Sequence, residues 1–167
     1  MIRDGALVLA DGSVFDGELI GADTINDEIT AHKTGATFIS DTLLNKKVDT
    51  IFEIGGQDSK YIRIDDGIVT DFTMNEACAA GTGSFLEEQA EKLDISIIGE
   101  FADKAFASKK PLRLGERCTV YMEQDVSAYM KRGAEKDDII AGLAYSVVQN
   151  YLNRVVRGRR IGNVIFF

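Results

Sequence analysis

Residues 48–74 read VDTIFEIGGQDSKYIRIDDGIVTDFTM and contain the strongest indication of the fold. It contains three apolar-rich runs that predict β-strands, residues 48–54, 60–64 and 68–74. Asp65-Asp66-Gly67 is a tight-turn sequence between the last two strands. We therefore expect an antiparallel meander. Its first turn, at Gly55-Gly56 and called the Gly-Gly turn below, is the unusual one.

The rest of the chain predicts helices and short strands around this meander. A β-hairpin is expected at the start, where Asp11-Gly12 separates residues 5–10 from residues 13–20. Helices are predicted at residues 26–34, 84–93, 97–107, 124–131 and 136–156, with Gly35 ending the first one. Strands are predicted at residues 118–122 and 163–167. The fold class is therefore α/β.

The composition limits the classes of function. The chain has 167 residues, 45% hydrophobic content and a net charge of -8. That size and content suffice for one real core, and a negative chain repels the phosphate backbone of nucleic acid. No window reaches the roughly 18 uninterrupted apolar residues of a membrane span. We predict a cytoplasmic protein that binds neither nucleic acid nor membrane.

The Gly-Gly turn is a candidate phosphate site. Glycines allow close approach of the backbone to an anion, and successive main-chain N–H groups in such a turn form an anion-binding concavity. Asp58 would hold Mg²⁺ directly or through water, and Gln57 would orient a water or a phosphate oxygen. Ser59 or Lys60 would add donors. An ordinary hairpin turn is the alternative, since the P-loop spacing is absent.

Two cysteines, Cys78 and Cys118, are the candidate metal ligands. Cys78 opens a small-residue segment with Gly81 and Gly83, just before a predicted helix N-terminus that suits an anion or a thiolate. One chain offers only two sulfurs, but a two-fold dimer offers four, enough for one cubane cluster. Buried or inert thiols are the alternative.

Three ordered motifs resemble one protein family. They are FEIGGQDSK at residues 52–60, NEACAAGTG at residues 75–83 and GERCTV at residues 115–120. Residues 25–167 are similar to the ATP-dependent activators of 2-hydroxyacyl-CoA dehydratases, which are related to benzoyl-CoA reductase subunits. These proteins lie in the superfamily of acetate and sugar kinases, actin and heat-shock chaperones.

The resemblance implies an RNase H-like fold with a mixed sheet and flanking helices, and ATP bound with Mg²⁺. It implies one 4Fe-4S cluster bridging a homodimer, with Cys78 and Cys118 as ligands. The loop from Gly55 to Lys60, with Gln57 and Asp58, matches the family's second phosphate motif. The implied function is ATP-driven transfer of an electron to a dehydratase or reductase partner.

Two departures modify this expectation. The family's first phosphate motif is missing, because Asp11-Gly12-Ser13 only echoes it, and the chain stops where an adenosine-binding Gly-Gly segment is expected. Residues 1–23 resemble the opening hairpin of the carbamoyl-phosphate synthetase small chain. We therefore expect a hairpin of other origin at residues 1–23 and a truncated activase-like domain at residues 24–167. A non-catalytic fragment and a thiol or iron-sulfur redox sensor are the alternative functions.

Overall fold

The computed structural model describes residues 3–8, 14–19, 27–75, 82–115 and 118–167. The chain forms two compact units, Met1–His32 and Lys33–Phe167. In the first unit, β1 (Arg3–Val8) and β2 (Val14–Leu19) pair antiparallel. This confirms the predicted hairpin, whereas its predicted turn at Asp11-Gly12 lies outside the described residues.

Helix α1 spans Glu28–Ile39 and continues as a π-helical segment, Ser40–Leu44. The carboxylate of Asp27 caps its start by accepting the backbone N–H and the hydroxyl of Thr30, both at 2.9 Å. The prediction that Gly35 ends this helix was wrong. A glycine inside a helix costs only about 1 kcal/mol. The helix therefore continues through Gly35 to place Ala36 in the interior.

The second unit contains a four-stranded mixed sheet. Its strands are β3 (Thr50–Ile54), β4 (Ser59–Asp65), β5 (Ile68–Met74) and β6 (Ile165–Phe166), in the order β5-β4-β3-β6. The meander β3-β4-β5 is antiparallel, as predicted, and β6 pairs parallel with β3. Asp66 and Gly67 have φ values of 49° and 77°, which a tight hairpin turn requires.

Four further helices pack beside the sheet. They are α2 (Gly83–Lys92), α3 (Phe101–Ala107), α4 (Thr119–Lys131) and α5 (Lys136–Asn150), the last continuing as a π-helical segment, Tyr151–Val156. No helix in the described part of the chain is long and apolar enough to cross a membrane. The mixed sheet and flanking helices agree with the predicted architecture.

Two further sequence predictions were wrong, the type of one element and the start of one helix. Residues 118–122 do not form a strand, because Met122 and Val126 are buried one helical turn apart while Val120 is exposed, so α4 begins at Thr119. Helix α3 begins at Phe101 rather than at residue 97. Gly99 has a φ of 91°, which no α-helix tolerates.

The core of the second unit has two parts. The larger part lies among α2, α3, α4 and α5, where side chains such as Phe85, Met122 and Leu143 are almost fully buried. The smaller part lies between the sheet and the π-helical segment Tyr151–Val156. There the Tyr151 ring meets the Phe52 ring edge-on, with centroids 5.2 Å apart. The sheet that carries the Gly-Gly turn is thus fixed from the side of α5.

Candidate functional site

The Gly-Gly turn joins β3 to β4 and is tightly closed. The N–H of Gly55 donates to the carbonyl of Asp58 at 2.9 Å. A Cβ atom on Gly55 would lie 2.7 Å from Oε1 of Glu53 and 3.1 Å from the Asp58 carbonyl. A larger residue there would require the Glu53 side chain to move and would crowd the Asp58 carbonyl. The turn therefore brings two carboxylates, Glu53 and Asp58, close to one backbone position.

A buried lysine lies beneath this turn. Lys60 is 1% exposed, and its Nζ atom is 2.8 Å from Oδ1 of Asp58 and 3.3 Å from Oε2 of Glu53. Glu53 and Lys60 are direct partners in the antiparallel β3-β4 pair, so the ladder itself aligns them. The main-chain carbonyl of Lys60 accepts the hydroxyl of Tyr151 at 2.7 Å.

The other predicted loop residues differ in their exposure. Gly56 and Gln57 are exposed at the tip of the turn, and Asp58 is partly exposed. Ser59 is fully buried, and its carbonyl accepts the N–H of Asn75 at 2.9 Å. The residues that can meet a ligand from solvent are thus those of the tip and the Asp58 carboxylate.

The start of helix α2 is bonded to the same turn. The N–H of Gly83 donates to the carbonyl of Gly55 at 2.7 Å, and the N–H of Ser84 donates to that of Gly56 at 3.0 Å. The Ser84 hydroxyl also donates to the Gly56 carbonyl. A Cβ atom on Gly83 would lie only 3.3 Å from the Gly55 carbonyl oxygen. The helix N-terminus predicted to suit an anion therefore uses these donors to hold the Gly-Gly turn.

Cys118 precedes helix α4, and its thiol is exposed. Its carbonyl accepts the N–H of Met122 at 3.1 Å, so it takes the first helical hydrogen bond. Cys78 and Gly81 lie outside the described residues. Within the described ranges, no group of three or more His, Cys, Asp or Glu side chains is arranged to hold a metal ion.

Glu53 belongs to the first motif, and the predicted hairpin places it opposite Lys60. Sequence reasoning missed two contributors to this site, Ser84 and Tyr151. Neither had a local signal, since each reaches the loop from a distant part of the chain. A glycine loop bonded to the helix that follows the Cys78 segment is the central geometry of the site.

The sequence model of the BadF/BadG/BcrA/BcrD ATPase family matches residues 10–167. The chain belongs to this family. Among characterised members, it is 38% identical over 137 residues to the (R)-2-hydroxyglutaryl-CoA dehydratase activating ATPase of Acidaminococcus fermentans, covering 80% of the chain and 50% of that protein. It is 33% identical to the 2-hydroxyisocaproyl-CoA dehydratase activator of Clostridioides difficile, covering 81% and 49%. These matches confirm the family resemblance stated above.

Two solved structures of this ATPase family have a similar fold. The crystal structure of the (R)-2-hydroxyglutaryl-CoA dehydratase component A of Acidaminococcus fermentans matches with a TM-score of 0.72 at 35% identity, covering 83% of this chain and 51% of that one. The activator of the 2-hydroxyisocaproyl-CoA dehydratase from Clostridium difficile, with bound ADPNP, matches with a TM-score of 0.69 at 31% identity, covering 78% and 48%. The predicted RNase H-like fold class is confirmed.

The chain spans about half the length of the curated relatives it matches. The family match begins at residue 10 and so includes β2. The separate resemblance of residues 1–23 to a carbamoyl-phosphate synthetase hairpin stays a prediction.

Proposed function

We propose that this chain provides the second phosphate loop and the cluster cysteines of an ATP-dependent activator. Such an activator passes an electron from a 4Fe-4S cluster to a 2-hydroxyacyl-CoA dehydratase or a related enzyme with a CoA substrate. It works as a cytoplasmic homodimer with one shared cluster. The proposal assigns residues 24–167 to the activase-like domain and residues 1–23 to a hairpin of other origin.

The observation that carries this proposal is the turn from Gly55 to Asp58. A side chain at Gly55 would crowd the Glu53 carboxylate and the Asp58 carbonyl, while no atom lies within 4 Å of a Cβ built on Gly56. The turn is thus closely packed at Gly55 and open at Gly56, where its backbone is accessible to an anion. Gln57 stands at this open tip and would orient a phosphate oxygen or the attacking water.

The donor set suits a magnesium nucleotide. Mg²⁺ prefers oxygen ligands and is commonly held by one or two carboxylates together with the substrate phosphates. Asp58 offers a partly exposed carboxylate beside the tip, and Glu53 offers a second one 3.3 Å from the same lysine. When bound, the metal ion neutralises phosphate charge. The chain's own part is to hold the two carboxylates and the turn in place.

For the cluster, Cys118 and Cys78 are the proposed ligands. Cluster iron binds thiolates, and the exposed Cys118 lies at a helix N-terminus, where the helix dipole favours negative charge. Exposure also allows the same thiol from a second copy to approach. When bound, a 4Fe-4S cluster supplies a one-electron redox centre.

Hydrogen bonds join the phosphate loop to the start of α2, the helix that follows the Cys78 segment in the sequence. The hydrogen bonds from Gly83 and Ser84 to the loop carbonyls connect the Gly-Gly turn to the helix that follows Cys78. A change of loop position on nucleotide binding therefore moves the start of α2. This contact supports the proposal that nucleotide and cluster act on each other.

Anaerobic reconstitution tests the cluster. Iron and sulfide should reach about four of each per dimer, the content of one cubane cluster, with a visible absorption band. Cys118→Ser should lose the cluster, while Ser127→Ala, an exposed change on the same helix, should retain it. An iron-free dimer of the unaltered chain would exclude the cluster, and unchanged iron in Cys118→Ser would exclude that ligand.

Titration with Mg·ADPNP tests the phosphate loop. We expect Asp58→Asn to weaken binding, and Asp66→Asn, a change at an exposed turn on the far side of β4, to leave it unchanged. Equal affinity of the unaltered protein and Asp58→Asn, or no binding by either, would contradict a working phosphate loop. A chain that holds a cluster but binds no nucleotide would favour the redox-sensor alternative.

A further inference from the structure

Lys60 is a charged residue in a place where charge is costly. It lies in β4 with its neighbours Ser59, Tyr61 and Ile62, and all four are at most 1% exposed. Burying an ammonium group is strongly unfavourable unless carboxylates compensate its charge. An apolar residue would fill this position of the strand without that penalty. The charge of Lys60 therefore has a role other than packing.

The partners of Lys60 identify that role. Its Nζ atom contacts Asp58 at 2.8 Å and Glu53 at 3.3 Å, while the Asp58 side chain is 37% exposed and the Lys60 side chain 1%. A fixed, buried cation thus holds a carboxylate that faces solvent at the Gly-Gly turn. It also neutralises Glu53, so that two carboxylates can lie beside the same glycine.

The backbone of Lys60 is itself anchored. Tyr151, from the π-helical segment after α5, donates its hydroxyl to the Lys60 carbonyl, and the Tyr151 side chain is 2% exposed. The lysine is therefore fixed at its backbone by the core and at its Nζ atom by the two carboxylates. Such an arrangement fixes the position of a neighbouring functional group.

We propose that Lys60 is a positioning residue: its buried ammonium group holds the Asp58 carboxylate and preforms the Gly-Gly turn before nucleotide arrives. The identity of the ligand as a magnesium nucleotide rests on the function proposed above. The preformed turn does not, because the contacts that hold it lie within the chain itself, between Lys60 and the two carboxylates and between the Gly55 N–H and the Asp58 carbonyl. The two parts can therefore be measured separately.

The test replaces Lys60 by methionine, which keeps the length and apolar bulk of the side chain and removes the charge. In the absence of nucleotide, amide hydrogen exchange at Gly55, whose N–H closes the turn, should become about tenfold faster, as local opening becomes easier. The amide of Ile62, in the centre of β4, should exchange at an unchanged rate. Lys92→Met is the matched control, because Lys92 also contacts two carboxylates, Glu88 and Glu123, but at the surface.

A second readout uses Mg·ADPNP. Lys60→Met should weaken its binding by about 10-fold to 100-fold, the usual effect of losing a group that orients a metal ligand. Adding Asp58→Asn to Lys60→Met should cause little further loss of Mg·ADPNP affinity. If the lysine were purely structural, the losses of affinity from the two substitutions would add. If Lys60→Met alone does not fold, Lys60→Met with Glu53→Gln removes both charges of this ion pair, and Gly55 exchange is then compared with that of Glu53→Gln alone.

The outcomes separate the two proposals. An unaltered chain that binds Mg·ADPNP, with Gly55 exchange equal in the unaltered chain and Lys60→Met, overturns the positioning role and leaves the proposed function intact. An unaltered chain that binds no Mg·ADPNP, with faster Gly55 exchange in Lys60→Met, supports the positioning role and contradicts the proposed function. Additive losses of Mg·ADPNP affinity in Lys60→Met with Asp58→Asn also overturn the positioning role.

Discussion

The hydroxyl of Tyr151 donates a 2.7 Å hydrogen bond to the main-chain carbonyl of Lys60 across 91 positions of sequence. It ties the π-helical end of α5 to the strand that carries the phosphate loop. Both residues are buried, so no solvent replaces this bond when it is lost. The bond therefore matters for stability and for its dependence on pH.

Tyr151→Phe should lower the free energy of unfolding by about 1–2 kcal/mol, because the Lys60 carbonyl then loses a buried partner. Burial also raises the pKa of the Tyr151 hydroxyl far above its ordinary value. A raised pKa in the folded state means that the stabilisation is complete below the unfolded pKa of about 10 and declines as the pH rises further. The free energy of unfolding, measured with urea from neutral to alkaline pH, should fall less steeply in Tyr151→Phe than in the unaltered chain.

Tyr145→Phe is the control for that series, since Tyr145 is 61% exposed on the same helix. It should unfold like the unaltered chain at every pH. A Tyr151→Phe curve parallel to that of the unaltered chain would mean that Tyr151 ionises normally in the folded protein.

Asp49→Asn should weaken the attachment of β6 and lower the free energy of unfolding by about 1–2 kcal/mol. The Asp49 carboxylate accepts the N–H of Asn163 at 2.9 Å and that of Val164 at 3.3 Å. Partial burial pushes the pKa of Asp49 upward, but these donors, with Thr50 and Arg63, outweigh it and leave the pKa below its ordinary value.

A lowered folded-state pKa sets the direction of the pH effect. The stabilisation by Asp49 is present above its unfolded pKa of about 3.9 and is lost as the pH falls through the folded value. Acid unfolding curves should therefore show a smaller loss of stability in Asp49→Asn than in Asp66→Asn, whose exposed carboxylate at a turn serves as control. Identical acid curves for the two variants would contradict the role of Asp49.

Gly142→Ala and Gly35→Ala should change stability in opposite directions. A Cβ on Gly142 would lie 2.6 Å from the carbonyl oxygen of Leu112, whose N–H is bonded to Asp138 on the same helix. The segment cannot move away freely, so we expect a loss of about 1–3 kcal/mol. No atom lies within 4 Å of a Cβ on Gly35, so alanine there should add about 0.5–1 kcal/mol.

Thermal unfolding of both glycine variants, at one protein concentration, checks this pair. Gly35→Ala also tests whether α1 runs through residue 35, because alanine stabilises only a helical position. A lower melting temperature for Gly35→Ala would mean that the helix is interrupted there.

Gln89→Leu should raise the free energy of unfolding by about 1 kcal/mol, because a buried amide without partners is costly. Gln89 is 1% exposed on α2, and in the described part of the chain neither atom of its amide has a hydrogen-bond partner. Gln89→Glu should have the opposite effect, since it buries a charge in the same place. If both variants unfold at a lower urea concentration than the unaltered chain, the Gln89 amide has hydrogen-bond partners.

The sequence predicted the meander well because its signals are local. Alternating apolar runs and Asp66-Gly67 act within a few residues, and the strands followed them closely. The failure at residues 118–122 has the opposite cause. Cys-Thr-Val-Tyr-Met has strong β-propensity, but Met122 and Val126 pack into the core only as a helix, and tertiary packing overrides propensity.

The candidate site was predictable as a list of residues but not as an arrangement. The motifs named Gln57, Asp58 and Cys118, and the hairpin register placed Glu53 opposite Lys60. Nothing local indicated that Lys60 is buried, or that Tyr151 reaches its carbonyl from the end of α5. Contacts between distant segments depend on the whole core, and no short pattern encodes them.

The bonds from Gly83 and Ser84 to the Gly-Gly turn run largely between main-chain atoms. Alanine scanning leaves main-chain N–H and carbonyl groups in place, so a mutational survey of side chains would overlook most of this link. Replacing the Gly83 amide by an ester, which deletes one N–H donor and leaves the side chains untouched, would expose it. The sequence around the turn can therefore change widely while these hydrogen bonds are kept, provided that Gly83 and Ser84 remain.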